Sequence, residues 1–182
     1  MRSGRDCTQS VTTADKPISS LPPIQTPRLY LRPCLTGDAE PFRALTNDPA
    51  ITSAVDFLSF PFERENAERL IAGDGDGRDC FWGVWLNGGG AMIGTVGTHL
   101  REPDAIEIGY WFATEMRGRG IAAEAVTAVL AALRTAYPSR AIFAECRPEN
   151  TVSWSLLEKL GFCANGNEGQ RPGRKRLVLT PG

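Results

Sequence analysis

Apolar and polar positions change period several times along the chain, and the sharpest change falls in Ala105–Ala136, AIEIGYWFATEMRGRGIAAEAVTAVLAALRTA. Ile106, Ile108, Tyr110 and Phe112 alternate with Glu107, Gly109 and Trp111, the period-two pattern of a strand. After Arg117-Gly118-Arg119-Gly120-Ile121-Ala122, the residues Val126, Val129, Leu130, Leu133 and Tyr137 recur at helical spacing. Pro138 ends that run.

The rest of the chain is read the same way. Residues 1–23 are polar, proline-containing and aperiodic, which predicts a flexible N-terminal tail. Arg28–Pro33 is the first strand. Thr36-Gly37-Asp38 caps a helix to about Asn47, with Phe42 and Leu45 inward, and Asp48-Pro49 breaks it. Ile51–Phe60 is irregular and rich in aliphatic and aromatic groups, which would be exposed in a mobile loop and are therefore expected to pack. Glu63–Ala72 is a second helix with Ala67, Leu70 and Ile71 inward. Cys80–Leu86, Ala91–Leu100 and the strand at Ala105 are separated by short turns and form an antiparallel meander. Ala141–Cys146 is a strand, Asn150–Leu160 a helix ending at Gly161, and Phe162–Ala164 and Arg174–Leu179 are the last two strands. The order β-α-α-β-β-β-α-β-α-β-β predicts one α/β domain over residues 24–182, with a mixed seven-stranded sheet and four helices.

Composition narrows the function. At 182 residues, with 42% hydrophobic and 23% charged residues, the chain can bury a sizeable core. A net charge of −1 argues against a nucleic-acid partner. No apolar run approaches the roughly 20 residues that span a bilayer, and residues 1–20 lack the apolar stretch of a signal peptide. Cys7, Cys34, Cys80, Cys146 and Cys163 are scattered without a C-x-x-C, which points to reduced thiols and a cytoplasmic location. One histidine and no carboxylate cluster predict no metal; the Gly73–Gly77 loop lacks the far glutamate of a calcium loop.

Chemistry concentrates after the central strand. A helix start leaves N–H groups unpaired and carries partial positive charge, and glycines before it admit a ligand closely. Phosphate suits such a place, and Arg117 and Arg119 add charge. A plain tight turn with solvated arginines would show the same glycines. The dinucleotide fingerprint is absent, because Ala123 stands where its third glycine is needed.

The wider context is more specific. Arg117–Ala122 matches R/Q-x-x-G-x-G/A, the pyrophosphate loop of the GNAT acetyltransferases. Asn150-Thr151-Val152-Ser153 with Glu158-Lys159-Leu160-Gly161-Phe162 resembles that family's N-x-x-S…E-K-x-G-F. Thr26–Pro33 is similar to the T-x-R-L-x-L-R of the branch that acetylates ribosomal-protein N-termini. The resemblance implies a GNAT fold whose fourth and fifth strands splay apart. It implies acetyl-CoA as cosubstrate, with residues 118–123 (Gly118, Arg119, Gly120, Ile121, Ala122, Ala123) on its pyrophosphate beside Arg117. The backbone of Tyr110, Trp111 and Phe112 and the side chain of Asn150 would take the pantetheine arm, and Ser153 would face the thioester sulfur.

For catalysis, a neutral amine must attack, so a base must take its proton. Glu107 is the candidate, although a carboxylate on a sheet face is more often solvated or salt-bridged. The tyrosine acid of many relatives is missing, since Leu156 and Leu157 occupy its neighbourhood, which turns the proton-donor role to Ser153 or a water. Phe57 and Phe60 are expected to wall the acceptor site. The acceptor expected is a protein or peptide N-terminus. Antibiotics, amino acids and polyamines are the alternative acceptors, and a non-catalytic acyl-CoA-binding domain is the alternative class. The reading leaves a homodimer open.

Overall fold

The computed structural model describes residues 16–101 and 104–180. The strands are β1 (Ile24–Gln25), β2 (Leu29–Pro33), β3 (Asp79–Leu86), β4 (Gly94–Arg101), β5 (Ala105–Phe112), β6 (Ala141–Cys146), β7 (Phe162–Glu168) and β8 (Lys175–Leu179). They form one sheet in the order β1-β2-β3-β4-β5-β6-β8-β7. Only the β5–β6 contact is parallel. The helices are α1 (Ala39–Thr46), α2 (Pro49–Thr52), α3 (Arg64–Ala72), α4 (Ile121–Ala136) and α5 (Thr151–Lys159).

The predicted α/β class and mixed, mostly antiparallel sheet hold, but among the described residues there are eight strands rather than seven and five α-helices rather than four. The added strand, β1, has two residues and pairs with β2, too short to show a period. The added helix, α2, starts inside the stretch read as broken. The Asp48 side chain accepts from Ala50 N–H at 2.8 Å, and Pro49 begins the turn, so the breaker of α1 is also a helix start. The last hairpin is longer than expected, because β7 runs past Ala164 through an irregularity to Glu168. Of the stretch read as a tail, residues 16–23 are described, while residues 1–15 lie outside the described residues. Ile18 is fully buried in the main core, and its N–H reaches the Gly77 carbonyl at 3.0 Å.

Both faces of the sheet are covered. One core packs β2–β6 against α4 and α5 through Trp82, Ile106, Val129, Leu133 and Leu157. The other gathers Phe42, Phe62, Phe81 and Trp111 beneath α1 and α3. Strands β3 and β4 are therefore buried on both sides, which is why their sequences do not alternate cleanly. Leu133 is wholly buried, and truncating such a leucine to alanine costs about 2–5 kcal/mol.

Candidate active site

The site exists because two neighbouring strands part. Strand β4 pairs with β5 along its whole length, from Arg101↔Ala105 to Gly94↔Phe112. Strand β6 pairs with β5 only from Ala105↔Ala141 to Ile108↔Ala144. From Gly109 onward β5 has no partner on that side, while Glu145 and Cys146 of β6 keep only their pairing with β8 on the other edge. The divergence opens a cleft of about 750 Å³ through the sheet. Phe57 and Trp111 line it on one side and Ile121 and Leu157 on the other. At Gly109 an added Cβ would meet nothing within 4 Å, so the gap continues up to the backbone.

One end of the cleft is a backbone construction. Gly118 and Gly120 hold φ of +69° and +71°, angles that side-chain-bearing residues rarely adopt. Gly120 is the N-cap of α4 and brings no side chain over the first turn. The N–H groups of Ile121, Ala122 and Ala123 have no partner within the helix, and all three residues line the cleft. No atom lies within 4 Å of a Cβ built on Gly118, so the loop is an open cradle. Arg117 and Arg119 are exposed beside it.

A brace holds this loop from behind. Arg28 donates from Nε to Glu124 Oε2 at 2.5 Å and from Nη1 to the Arg119 carbonyl at 2.8 Å. Thr26 Oγ1 donates to Glu124 Oε1 at 2.5 Å. Burial pushes the Glu124 pKa up, but the Thr26 and Arg28 hydrogen bonds outweigh it and leave the pKa below its ordinary value. Thr26 and Arg28, far away in sequence, thus fix the shape of a loop 90 residues later.

Halfway along the cleft stands Ser153, on the first turn of α5. Asn150 Oδ1 accepts from Ser153 N–H at 3.2 Å, so the asparagine is the N-cap of α5 as well as a lining residue. Ser153 Oγ lies 2.9 Å from the hydroxyl of Tyr110. Cys146 is buried beneath them, and burial pushes its thiol pKa up, which disfavours the nucleophilic thiolate.

The other end is built from side chains. Glu107 is 6% exposed and borders the cleft. Arg171 Nη1 lies 2.6 Å from Glu107 Oε1, and Arg101 Nε donates to Oε2 at 3.0 Å. Burial acts to raise the Glu107 pKa, yet the two guanidiniums more than offset it and hold the carboxyl below the ordinary 4.5. Arg101 also reaches Asp79, whose Oδ1 is 2.7 Å from His99 Nδ1. Above the carboxylate, Asp56 of the α2–α3 loop is clasped by Arg147 and by Arg174 Nε, the latter at 2.7 Å. Phe57 leans on Trp111 with ring centroids 6.2 Å apart. Phe60 is 58% exposed and is not among the residues that line the cleft. The Trp111 ring is buried, its Nε1 donating to Thr46 Oγ1 at 3.0 Å, so side chain and backbone serve different faces.

The profile of the acetyltransferase (GNAT) domain matches residues 28–163. The chain belongs to the GNAT family of acetyltransferases. An uncharacterised N-acetyltransferase of Bacillus licheniformis, p20, is 29% identical over 149 residues, covering 79% of this chain and 83% of the relative. The ribosomal-protein-S5-alanine acetyltransferase of Vibrio fischeri superimposes with a TM-score of 0.73 at 20% identity, covering 87% and 99%. A RimL ribosomal L7/L12 α-N-protein acetyltransferase solved with coenzyme A superimposes at 0.75 and 18%, covering 86% and 96%. At these identities the two structures speak for the fold.

This GNAT acetyltransferase is an acyltransferase of the acetyl-CoA-dependent kind, and the cradle, Asn150 and the unpaired β5 edge fit that cosubstrate. Among the described residues no group of three metal-ligating side chains is assembled. Three features escaped sequence reading: the Tyr110 hydroxyl, the Arg101–Glu107–Arg171 bridge and the Arg28 brace. The first had a signal, because strand alternation sets Tyr110 on the face opposite Glu107. The other two join segments between 6 and 98 residues apart, and nothing in local spacing announces them.

Proposed function

We propose that the enzyme transfers an acetyl group from acetyl-CoA to the amine of a protein or peptide N-terminus, with Glu107 as the base. The cleft through the sheet carries this reading, with an anion cradle at one end and a buried carboxylate at the other. The N–H groups at the start of α4 bind the pyrophosphate. The unpaired edge of Tyr110, Trp111 and Phe112 receives the amides of the pantetheine arm as an added strand would be received. The thioester then lies near Gly109, where the strands part.

Glu107 stays ionised at neutral pH. It accepts the proton as attack on the carbonyl makes the amine nitrogen acidic, directly or through one water. Arg101 and Arg171 hold the carboxylate in place at the expense of its basicity. Ser153 faces the departing sulfur from α5. Phe57, half exposed over Trp111, supplies an apolar wall for the first residue of an acceptor.

The structural likeness to two ribosomal-protein acetyltransferases supports a peptide acceptor. Release of coenzyme A thiol should be measured with short peptides, free amino acids, polyamines and aminoglycosides. The peptide reading expects the highest kcat/KM with peptides. A clear preference for a small amine overturns the peptide acceptor and keeps the transferase. No release with any amine, despite acetyl-CoA binding, overturns catalysis in favour of an acyl-CoA-binding domain.

A further inference from the structure

The N-acetyltransferase reading needs a proton for the sulfur, and Leu156 and Leu157 leave α5 without a tyrosine to supply it. The structure holds a tyrosine at that place from another element. Tyr110 belongs to β5, in the segment that has already left β6. Its ring packs against the α4–α5 core, opposite the face that carries Glu107. Its hydroxyl crosses the gap to α5, 2.9 Å from Ser153 Oγ and 3.3 Å from the Ser153 carbonyl oxygen. Tyr110 and Ser153 both line the cleft.

We propose that Tyr110 and Ser153 form one proton-donating unit for the leaving thiolate, with Tyr110 as the strand-borne acid that α5 lacks. In the step, the amine nitrogen bonds to the carbonyl carbon and loses its proton to Glu107. The carbon–sulfur bond then breaks, and its electron pair stays on sulfur. Sulfur takes the hydroxyl proton of this pair, either from Tyr110 or from Ser153 with Tyr110 refilling it. Glu107 gives its proton up to water, the pair regains one from water, and the products are the amide and coenzyme A thiol. Burial pushes the Tyr110 pKa upward, so the phenol is protonated when needed. The placement also explains the division of labour: base and acid project from opposite faces of one strand, on either side of the thioester.

Removing the hydroxyl and keeping the ring separates chemistry from packing. Tyr110→Phe should lower kcat about 10²-fold, the lower end for general acid catalysis because Ser153 remains. Its acetyl-CoA Kd by calorimetry and its melting temperature should stay at wild-type values. Ser153→Ala should behave alike, and the double variant should be no slower than the worse single one, as for groups acting as a unit. A Tyr110→Phe enzyme with kcat within threefold of wild type overturns the proposal. So does a kcat loss matched by weakened acetyl-CoA binding, which marks a packing role, or a double variant whose losses multiply. These results leave the transferase reading standing, since wild-type turnover is measured alongside. A wild type without turnover refutes both.

Discussion

The two ends of the cleft are made by different means. The end proposed for the coenzyme is backbone: two glycines at positive φ, the first N–H groups of α4 and an unpaired strand edge. The end proposed for the acceptor is side chain: Glu107 between two arginines, Phe57 on Trp111, and Asp56 tied to Arg147 and Arg174. Backbone geometry fails all at once when a residue cannot adopt it. Side-chain constellations fail by degrees, because each contact contributes separately. The contrast sets the size of effect expected from each substitution.

Gly120→Val should have the largest effect. Valine at φ +71° is strained, and its Cβ would meet Arg28 Nη2 at 3.5 Å, against the brace itself. Acetyl-CoA binding should vanish in calorimetry while the fold persists by circular dichroism. Unchanged affinity would remove the backbone account of that end.

Glu107→Gln comes next. kcat should fall about 10²–10⁴-fold with acetyl-CoA affinity nearly constant. The same variant carries a pH signature. The native Glu107 pKa lies below its ordinary 4.5, so its stabilising contribution is complete above 4.5 and is lost as pH falls through the native value. In acid titrations the stability advantage of wild type over Glu107→Gln should therefore shrink below pH 4.5. A constant difference would show that Arg101 and Arg171 do not hold the carboxylate in solution.

Phe57→Ala should raise KM for the amine by about tenfold, roughly 1.4 kcal/mol, while KM for acetyl-CoA stays put. Equal rises in both would mean that the two ends are not separable. The smallest effect belongs to Asp56→Asn. Its ion pairs are partly exposed, and such pairs contribute about 0.2–1 kcal/mol, so KM for the amine should move about two- to fivefold and less at high salt.

The same contrast decides what was legible in the sequence. The coenzyme end sits on contiguous residues, where glycine spacing and an N-x-x-S pair state their own geometry. The sheet class followed from alternation in β5 and from the turns of the meander. The acceptor end was legible only as a region. Asp56 meets Arg174 118 positions away, and Arg171 meets Glu107 across the final hairpin, contacts that only the folded sheet creates. Phe60 was read as wall because it belongs to the aromatic segment between the two early helices, and it is 58% exposed. Strand β1 and helix α2 were missed because two and four residues are too few to display a period. Ile18 was hidden by its polar neighbours, although one buried aliphatic side chain suffices to dock the segment.

The slot beside Gly109 bears on the order of events during turnover. On the proposed reading, coenzyme and acceptor reach it from opposite ends of the cleft, so neither stands in the other's exit. Such a layout needs no acetyl group parked on the protein between half-reactions, and the buried Cys146, its thiol pKa raised, is a poor place to park one. Both reactants must be present at once, and either can arrive first. Initial-rate plots at several fixed amine concentrations should therefore intersect rather than run parallel.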